Sequence, residues 1–300
     1  MSLNILNDNY KIITAEYAVW LTTLGFSNGV VYDYKFRMRD FFEWLQEKNI
    51  NNISNVQQKH IELYIIYLQT RPNKRRKGGL SASHLNHSFI AIDKLLEFLH
   101  QIGMNTAPTP PNFRMPIDEQ ARINKIEPLT QQEIKTLQSN IYNTYSKSNF
   151  KIRERKHEQL KLIFVLYYGC GLRRTEGYKL TANDIDFEKK TIFVKQGKNY
   201  KDRIIPMNDS ICKALEHYIY NFRNLQKVKH KRLFLSKTGT LNNSLQDLQK
   251  LTNIDKRITL HILRHSIATH LLQNGMSIES IALFLGHSSL DSTQIYTHLI

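Results

Sequence analysis

The sequence predicts a mainly α chain of two domains, an all-helical first half followed by a helical second half with a small antiparallel sheet. Three observations carry this reading. Residues 10–102 place apolar side chains at three- and four-residue steps, with no strand-like alternation. Residues 104–128 hold five of the seven prolines, at 108, 110, 111, 116 and 128. Proline lacks a backbone donor and restricts its predecessor, so an extended connection is expected there. Beyond it, 190–194 and 203–206 are short β-branched runs in an otherwise helical pattern. A length of 300 residues suits two domains. The expected boundaries are 1–103 for the first domain, 104–127 for the linker and 128–300 for the second.

Taken in order, Val31, Tyr34, Met38, Phe41 and Leu45 form one helical stripe. Ser54 followed by Gln57 reads as a capping box before the stripe Ile61, Ile65, Leu68. A further helix runs from about Ser83 to Ile102 with Phe89, Ile92, Leu96 and Leu99 on one face, and Gly103 is its expected stop. About four helices result. Between the last two lies a basic loop, Lys74-Arg75-Arg76-Lys77 followed by Gly78-Gly79. In the second half, Thr130 and Glu133 form a capping box that starts a helix. A long helix is expected from about Lys151 to Gly169. The two strands that follow are joined by a turn around Gly197-Lys198-Asn199-Tyr200, and Asn274-Gly275 and Gly286 read as later helix stops.

Charge and composition narrow the function classes. Lys and Arg number 42 against 26 Asp and Glu, a formal +16. Such a field selects a polyanionic partner, nucleic acid before an anionic membrane. Only two cysteines are present, Cys170 and Cys212, so no zinc module or disulfide framework can be built from them. The start lacks a signal-peptide pattern, and the longest apolar stretch, Leu162 to Tyr168, is far short of the roughly 20 residues that span a bilayer. A cytoplasmic protein with no membrane partner is expected. No nucleotide-binding glycine loop occurs. Asp184 and Asp186 read as surface turn residues rather than a metal site.

Several local patterns are ambiguous one at a time. His261 and His265 have the four-residue spacing of a two-histidine zinc site, but Ile262 stands where a metalloprotease needs glutamate. His261 with Arg264, three apart, instead suits a phosphate, because a guanidinium offers paired donors to its oxygens. Gly171-Leu172-Arg173-Arg174-Thr175-Glu176 starts a segment with two arginines, one of which Glu176 could brace. His287 follows Gly286, and Tyr296 is one of 15 tyrosines. A tyrosine becomes a nucleophile only with acid–base help and oxyanion donors nearby.

Read together, these patterns stand in a fixed order: Gly171-Leu172-Arg173 with Thr175-Glu176, a lysine in a strand–strand turn, His261-Ile262-Leu263-Arg264-His265, Leu285-Gly286-His287-Ser288-Ser289 and Gln294-Ile295-Tyr296-Thr297-His298. That series closely resembles the tyrosine recombinases, the phage-integrase or Xer-type family, over about residues 128–298. The resemblance implies a four-helix, SAM-like core-binding domain joined to an α+β catalytic domain. It implies a site-specific recombinase or integrase that cuts and rejoins duplex DNA through a 3′-phosphotyrosyl intermediate, without cofactor, metal or ATP. Arg173 and Arg264 would hold the scissile phosphate, Lys198 would protonate the leaving 5′ oxygen, and His261 would assist proton transfer. His287 would hydrogen-bond the phosphate, Tyr296 would be the nucleophile, and Glu176 would support the site from behind. Lys74, Arg75, Arg76 and Lys77 would grip DNA phosphates. A homo-oligomer, a tetramer on the DNA synapse, is implied, with or without a second related recombinase.

Two rivals share part of this pattern, a type IB topoisomerase and a catalytically inactive sequence-specific DNA-binding relative. The sequence also departs from the family at Arg174, where an apolar residue is expected, and at Gly177, where leucine is expected. Glycine costs about 1 kcal/mol in a helix interior, so looser packing is expected near Arg173.

Overall fold

The computed structural model describes residues 6–73, 77–123, 126–195, 202–286 and 293. The chain divides into two compact units, Met1–Asp118 and Glu119–Ile300. Among its described residues the first unit holds four α-helices: α1 (Asp8–Thr23), α2 (Asn28–Glu47), α3 (Gln58–Thr70) and α4 (Ala82–Gln101). The stripe on α2 faces inward, with Tyr34, Met38, Phe41 and Leu45 buried and Val31 partly so. Tyr10 stacks on Phe42 at 4.4 Å between ring centroids. The Tyr17 hydroxyl donates to the Ala91 carbonyl of α4 at 3.2 Å, which satisfies its polar end inside the core. Burying each such ring stabilises the unit by about 1.5–3 kcal/mol.

The cap of α3 differs from expectation. Ser54 lies inside a short 3₁₀ turn, Ile53–Asn55, where its N–H and hydroxyl both donate to Asn52 Oδ1, at 3.0 and 2.8 Å. It is thereby engaged and cannot cap a helix that starts at Gln58. Gln57 is the cap instead, its own N–H donating to His60 Nδ1 at 3.0 Å.

The proline-rich stretch is only partly the extended linker expected. Residues 108–118 form no helix or strand, but a short helix, Glu119–Ile123, follows between Pro116 and Pro128, where no proline interrupts the chain. The first part of the stretch is also held to α4. The Asn86 amide takes both backbone groups of Met115, accepting its N–H at 2.7 Å and donating to its carbonyl at 2.9 Å. Arg114 pairs with Asp93 at 2.7 Å. Residues 104–118 thus group with the first unit rather than standing free, because one side-chain amide supplies the partners that a strand neighbour would otherwise provide. At the basic loop, Pro72 bridges Gly79 and Asn73 N–H donates to the Gly78 carbonyl at 2.8 Å, leaving Lys77 exposed beside this neck. Lys74, Arg75 and Arg76 lie outside the described residues.

The second unit contains α5 (Glu119–Ile123), α6 (Gln131–Ser139), α7 (Phe150–Ile163) and α8 (Arg174–Lys179), then strands β1 (Ile185–Asp186), β2 (Thr191–Val194) and β3 (Arg203–Pro206). It continues through α9 (Asp209–Asn221), α10 (Thr238–Gln249), α11 (Leu260–Gln273) and α12 (Ile278–Leu285). The expected Thr130–Glu133 capping box forms reciprocally, at 2.7 and 3.1 Å. The sheet is antiparallel in the order β1-β2-β3, with Thr191 opposite Pro206 and Val194 opposite Arg203. Ile192, Val194 and Ile205 face the core. The short β1 adds a strand to the two expected, pairing Ile185 with Ile192.

The long helix expected to reach Gly169 changes character at Phe164. The backbone widens into a π-helical turn over Phe164–Gly169, which packs against α11. Such a turn inserts an extra residue into the helical repeat. It turns the Tyr167 ring toward α8, where a Cβ built on Gly177 would lie 2.9 Å from the ring and its hydroxyl. Tyr167 is fully buried and its hydroxyl donates to the Arg174 carbonyl at 3.0 Å, so the ring is fixed. Gly177 therefore does not loosen the packing. Its missing side chain is the space that Tyr167 fills.

Restoring the expected leucine, Gly177→Leu, should destabilise the fold by about 1–3 kcal/mol through overpacking. In a Tyr167→Ala background the added cost of Gly177→Leu should shrink, because the ring it collides with is gone. Urea unfolding followed by circular dichroism reads both, and an unchanged midpoint in the single variant would show that the ring is not fixed.

Candidate active site

Glu176 is the point on which the site converges. It lies at the third position of α8, directly behind the cap residue Arg173, so the helix geometry itself turns its carboxylate back on Arg173. Its Oε2 accepts the Arg173 backbone N–H at 2.7 Å, and its Oε1 accepts Arg173 Nη1 at 2.8 Å. Arg203, at the start of β3, donates to the same carboxylate through both terminal nitrogens, each at 2.9 Å. Arg264 Nη1 stands 4.0 Å from Oε2.

Backbone carbonyls hold the remaining donors. Arg264 donates to Gly171 O at 2.5 Å and to Leu285 O at 2.8 Å, and Arg173 Nη2 donates to Gly286 O. Two glycines make these carbonyls available. Gly171 and Gly286 both adopt left-handed backbone, at φ +57° and +67°. A Cβ on Gly171 would meet Leu285 and Phe284 at 2.9 Å, and one on Gly286 would lie 2.6 Å from Arg203 Cδ.

Three guanidiniums thus surround one carboxylate among the described residues, so cations outnumber anions at this point of the fold. The Glu176 side chain is 4% exposed, Arg264 6%, Arg203 11% and Arg173 19%. Arg173 is therefore the guanidinium with most surface left for an incoming anion. Burial alone would raise the Glu176 carboxyl, but the hydrogen bonds and charge of Arg203, then those of Arg173, outweigh it and hold the group at about 2.

His261 and Arg264 share a face of α11, whose first turn is capped by Thr259 accepting the Ile262 N–H at 3.2 Å. His261 keeps an exposed edge, and partial desolvation followed by the charges of Arg264 and Arg174 lowers it from the ordinary histidine value. His265 is more deeply placed, and burial with the neighbouring His261 and Arg264 brings it down to about 4. Both histidines are neutral at pH 7. They line a cavity of about 570 Å³ together with Asn242, Arg257, Thr259 and Glu127. Among the described residues no group of three or more His, Cys, Asp or Glu is arranged to hold a metal ion.

Of the residues singled out from sequence, Arg173, Glu176, His261 and Arg264 lie within one constellation or beside it. Lys198, His287 and Tyr296 lie outside the described residues. Arg174 leaves the cluster, its Nε donating to Thr238 Oγ1 at 3.0 Å. Asp184 is more than a surface turn residue, since its carboxylate accepts from Thr181 N and Oγ1 and from Lys195 Nζ at 2.9, 2.6 and 2.7 Å. Arg203 was not expected. The signal for it was nonetheless in the strand register: Arg203 shares a face with buried Ile205, and an inward charge on a strand requires a buried counter-charge.

A carboxyl whose folded value lies below its unfolded value stabilises the fold above about pH 4.5, and that stabilisation is lost as pH falls toward 2. Glu176→Gln should therefore be less stable than the parent at pH 7, with the gap closing between about pH 4.5 and 2. Thermal unfolding across that window measures it, and a gap independent of pH would refute the electrostatic role.

Residues 122–300 match the model of the phage integrase family. The chain is 28% identical to the tyrosine recombinase XerD of Halalkalibacterium halodurans over 285 residues, covering 92% of this chain and 88% of the relative. It is 39% identical to XerD of Staphylococcus haemolyticus over 149 residues, 46% of this chain and 50% of that one. Its fold is similar to that of the XerH site-specific recombinase bound to difH, with a TM-score of 0.68 at 21% identity over 89% of this chain and 76% of that one. The family match spans the whole second unit beyond its first turn of helix, including the arginine cluster, and the chain belongs to the phage integrase family of tyrosine site-specific recombinases.

Proposed function

We propose that this recombinase binds duplex DNA and exchanges strands through a 3′-phosphotyrosyl intermediate formed on Tyr296. The observation that carries this reading is the surplus of guanidinium charge fixed around Glu176, with Arg173 left partly open. A phosphodiester under attack gathers charge on its non-bridging oxygens, and donors already in place stabilise that charge without reorganising. Arg173 and Arg264 fill that role.

In the proposed step the Tyr296 oxygen forms a bond to phosphorus and the bond from phosphorus to the 5′ oxygen breaks. His261, neutral at pH 7, is suited to accept the tyrosine proton, and Lys198 delivers a proton to the departing 5′ oxygen. His287 donates a further hydrogen bond to the phosphate. The phosphodiester energy is retained in the phosphotyrosine bond, and attack by the freed 5′ hydroxyl of a partner strand reverses the step. The formal +16, including Lys74, Arg75, Arg76 and Lys77, supplies non-specific phosphate grip. Strand exchange needs two duplexes, which supports a tetramer of this chain, alone or with a related recombinase, acting in the cytoplasm.

The test is covalent trapping on a pool of nicked duplexes of random sequence, followed by sequencing of the DNA joined to the protein. The parent chain should give an adduct in EDTA, and Tyr296→Phe should give none while still binding the recovered duplex. An adduct from Tyr296→Phe would overturn the choice of nucleophile. Supercoil relaxation with no sequence requirement and no exchange would favour the topoisomerase reading, and binding without any adduct would favour an inactive relative. Arg264→Lys should slow adduct formation by about a hundredfold, the usual cost of one lost transition-state donor.

A further inference from the structure

We propose that Arg203 is a positioning residue that aligns Arg173 for the phosphate. The inference rests on the function proposed above. Arg173 has two side-chain partners among the described residues, the Glu176 carboxylate and the Gly286 carbonyl. Arg203 bonds to the first and packs on the residue that carries the second. Its terminal nitrogens span the Glu176 carboxylate at 2.9 Å each, fixing the rotation of that group. Its Cδ occupies the space that a Cβ on Gly286 would need, 2.6 Å away, so it packs directly on the residue whose carbonyl receives Arg173.

Without Arg203, the carboxylate would keep its two bonds to Arg173 but lose the pair that holds its outer side. The charge balance also points to alignment rather than to phosphate contact. Both terminal nitrogens of Arg203 are committed to Glu176, whereas Arg173 divides its donors between a carboxylate and a single carbonyl and remains the more exposed. Arg203 therefore acts through Arg173 and does not replace it. Its place on β3, opposite Val194, also fastens the strand pair to α8 at the same carboxylate.

Two measurements test this. Arg203→Lys keeps the charge and loses the paired geometry. With the duplex recovered from trapping, it should form adduct about a hundredfold more slowly at saturating protein, since misplacement near an ångström carries that cost. Its DNA affinity should be unchanged. In an Arg173→Lys background the same substitution should add little, because the residue it aligns is already gone. An adduct rate equal to the parent's, or an equal loss in both backgrounds, would overturn the proposal.

The second measurement needs no substrate. In protein labelled with ¹⁵N-arginine, the separate terminal nitrogen signals of Arg173 should merge in Arg203→Lys as the guanidinium rotates faster. Unchanged signals would overturn the alignment, and so would loss of the helical circular dichroism, which would make Arg203 a folding residue. A parent chain that traps no duplex would refute the proposed function, and the Arg203 proposal would then be decided by the arginine spectrum alone.

Discussion

One carboxylate organises the second unit of this recombinase. Two unit charges about 4 Å apart interact by about 4 kcal/mol at the effective dielectric of a protein surface. Arg173, Arg203 and Arg264 would therefore repel one another strongly if nothing stood between them. Glu176 stands there, accepting four hydrogen bonds, and its carboxyl is held at about 2, so it is charged at neutral pH. Helix α8, strand β3 and helix α11 are tied to a common point by it, and the ends of the π-helical turn and of α12 supply the carbonyls that take the remaining donors.

The same arrangement reconciles stability with reactivity. A buried cluster of like charges is costly, and one anion among three cations only partly relieves it. In the proposed function, the residue of positive charge is what an incoming phosphate would neutralise. Left-handed Gly171 and Gly286 contribute to both ends of this compromise, because each exposes a carbonyl to a guanidinium and each lacks a side chain where a neighbour must pass.

Much of the architecture was legible from local pattern. The four helices of the first unit follow from three- and four-residue apolar spacing, and the Thr130–Glu133 capping box from four residues of sequence. Features that depend on which partner a side chain actually meets were not legible. Ser54 looked like a cap until Asn52 was seen to engage it. Gly177 looked like a weakness until the Tyr167 ring was seen to occupy its space. The first part of the proline-rich stretch looked free until Asn86 was seen to hold Met115.

The sequence by itself determined the two-part helical plan, the basic charge and the ordered motifs that identify the family, because periodicity, composition and motif order are properties of the linear chain. Only the tertiary structure decided that Arg203 belongs to the cluster and that Glu176 is shared rather than paired. A counter-charge is selected by distance in space, and Arg203 is 27 residues from Glu176 in sequence. Register placed that arginine on the inward face, and only folding brought the carboxylate to meet it.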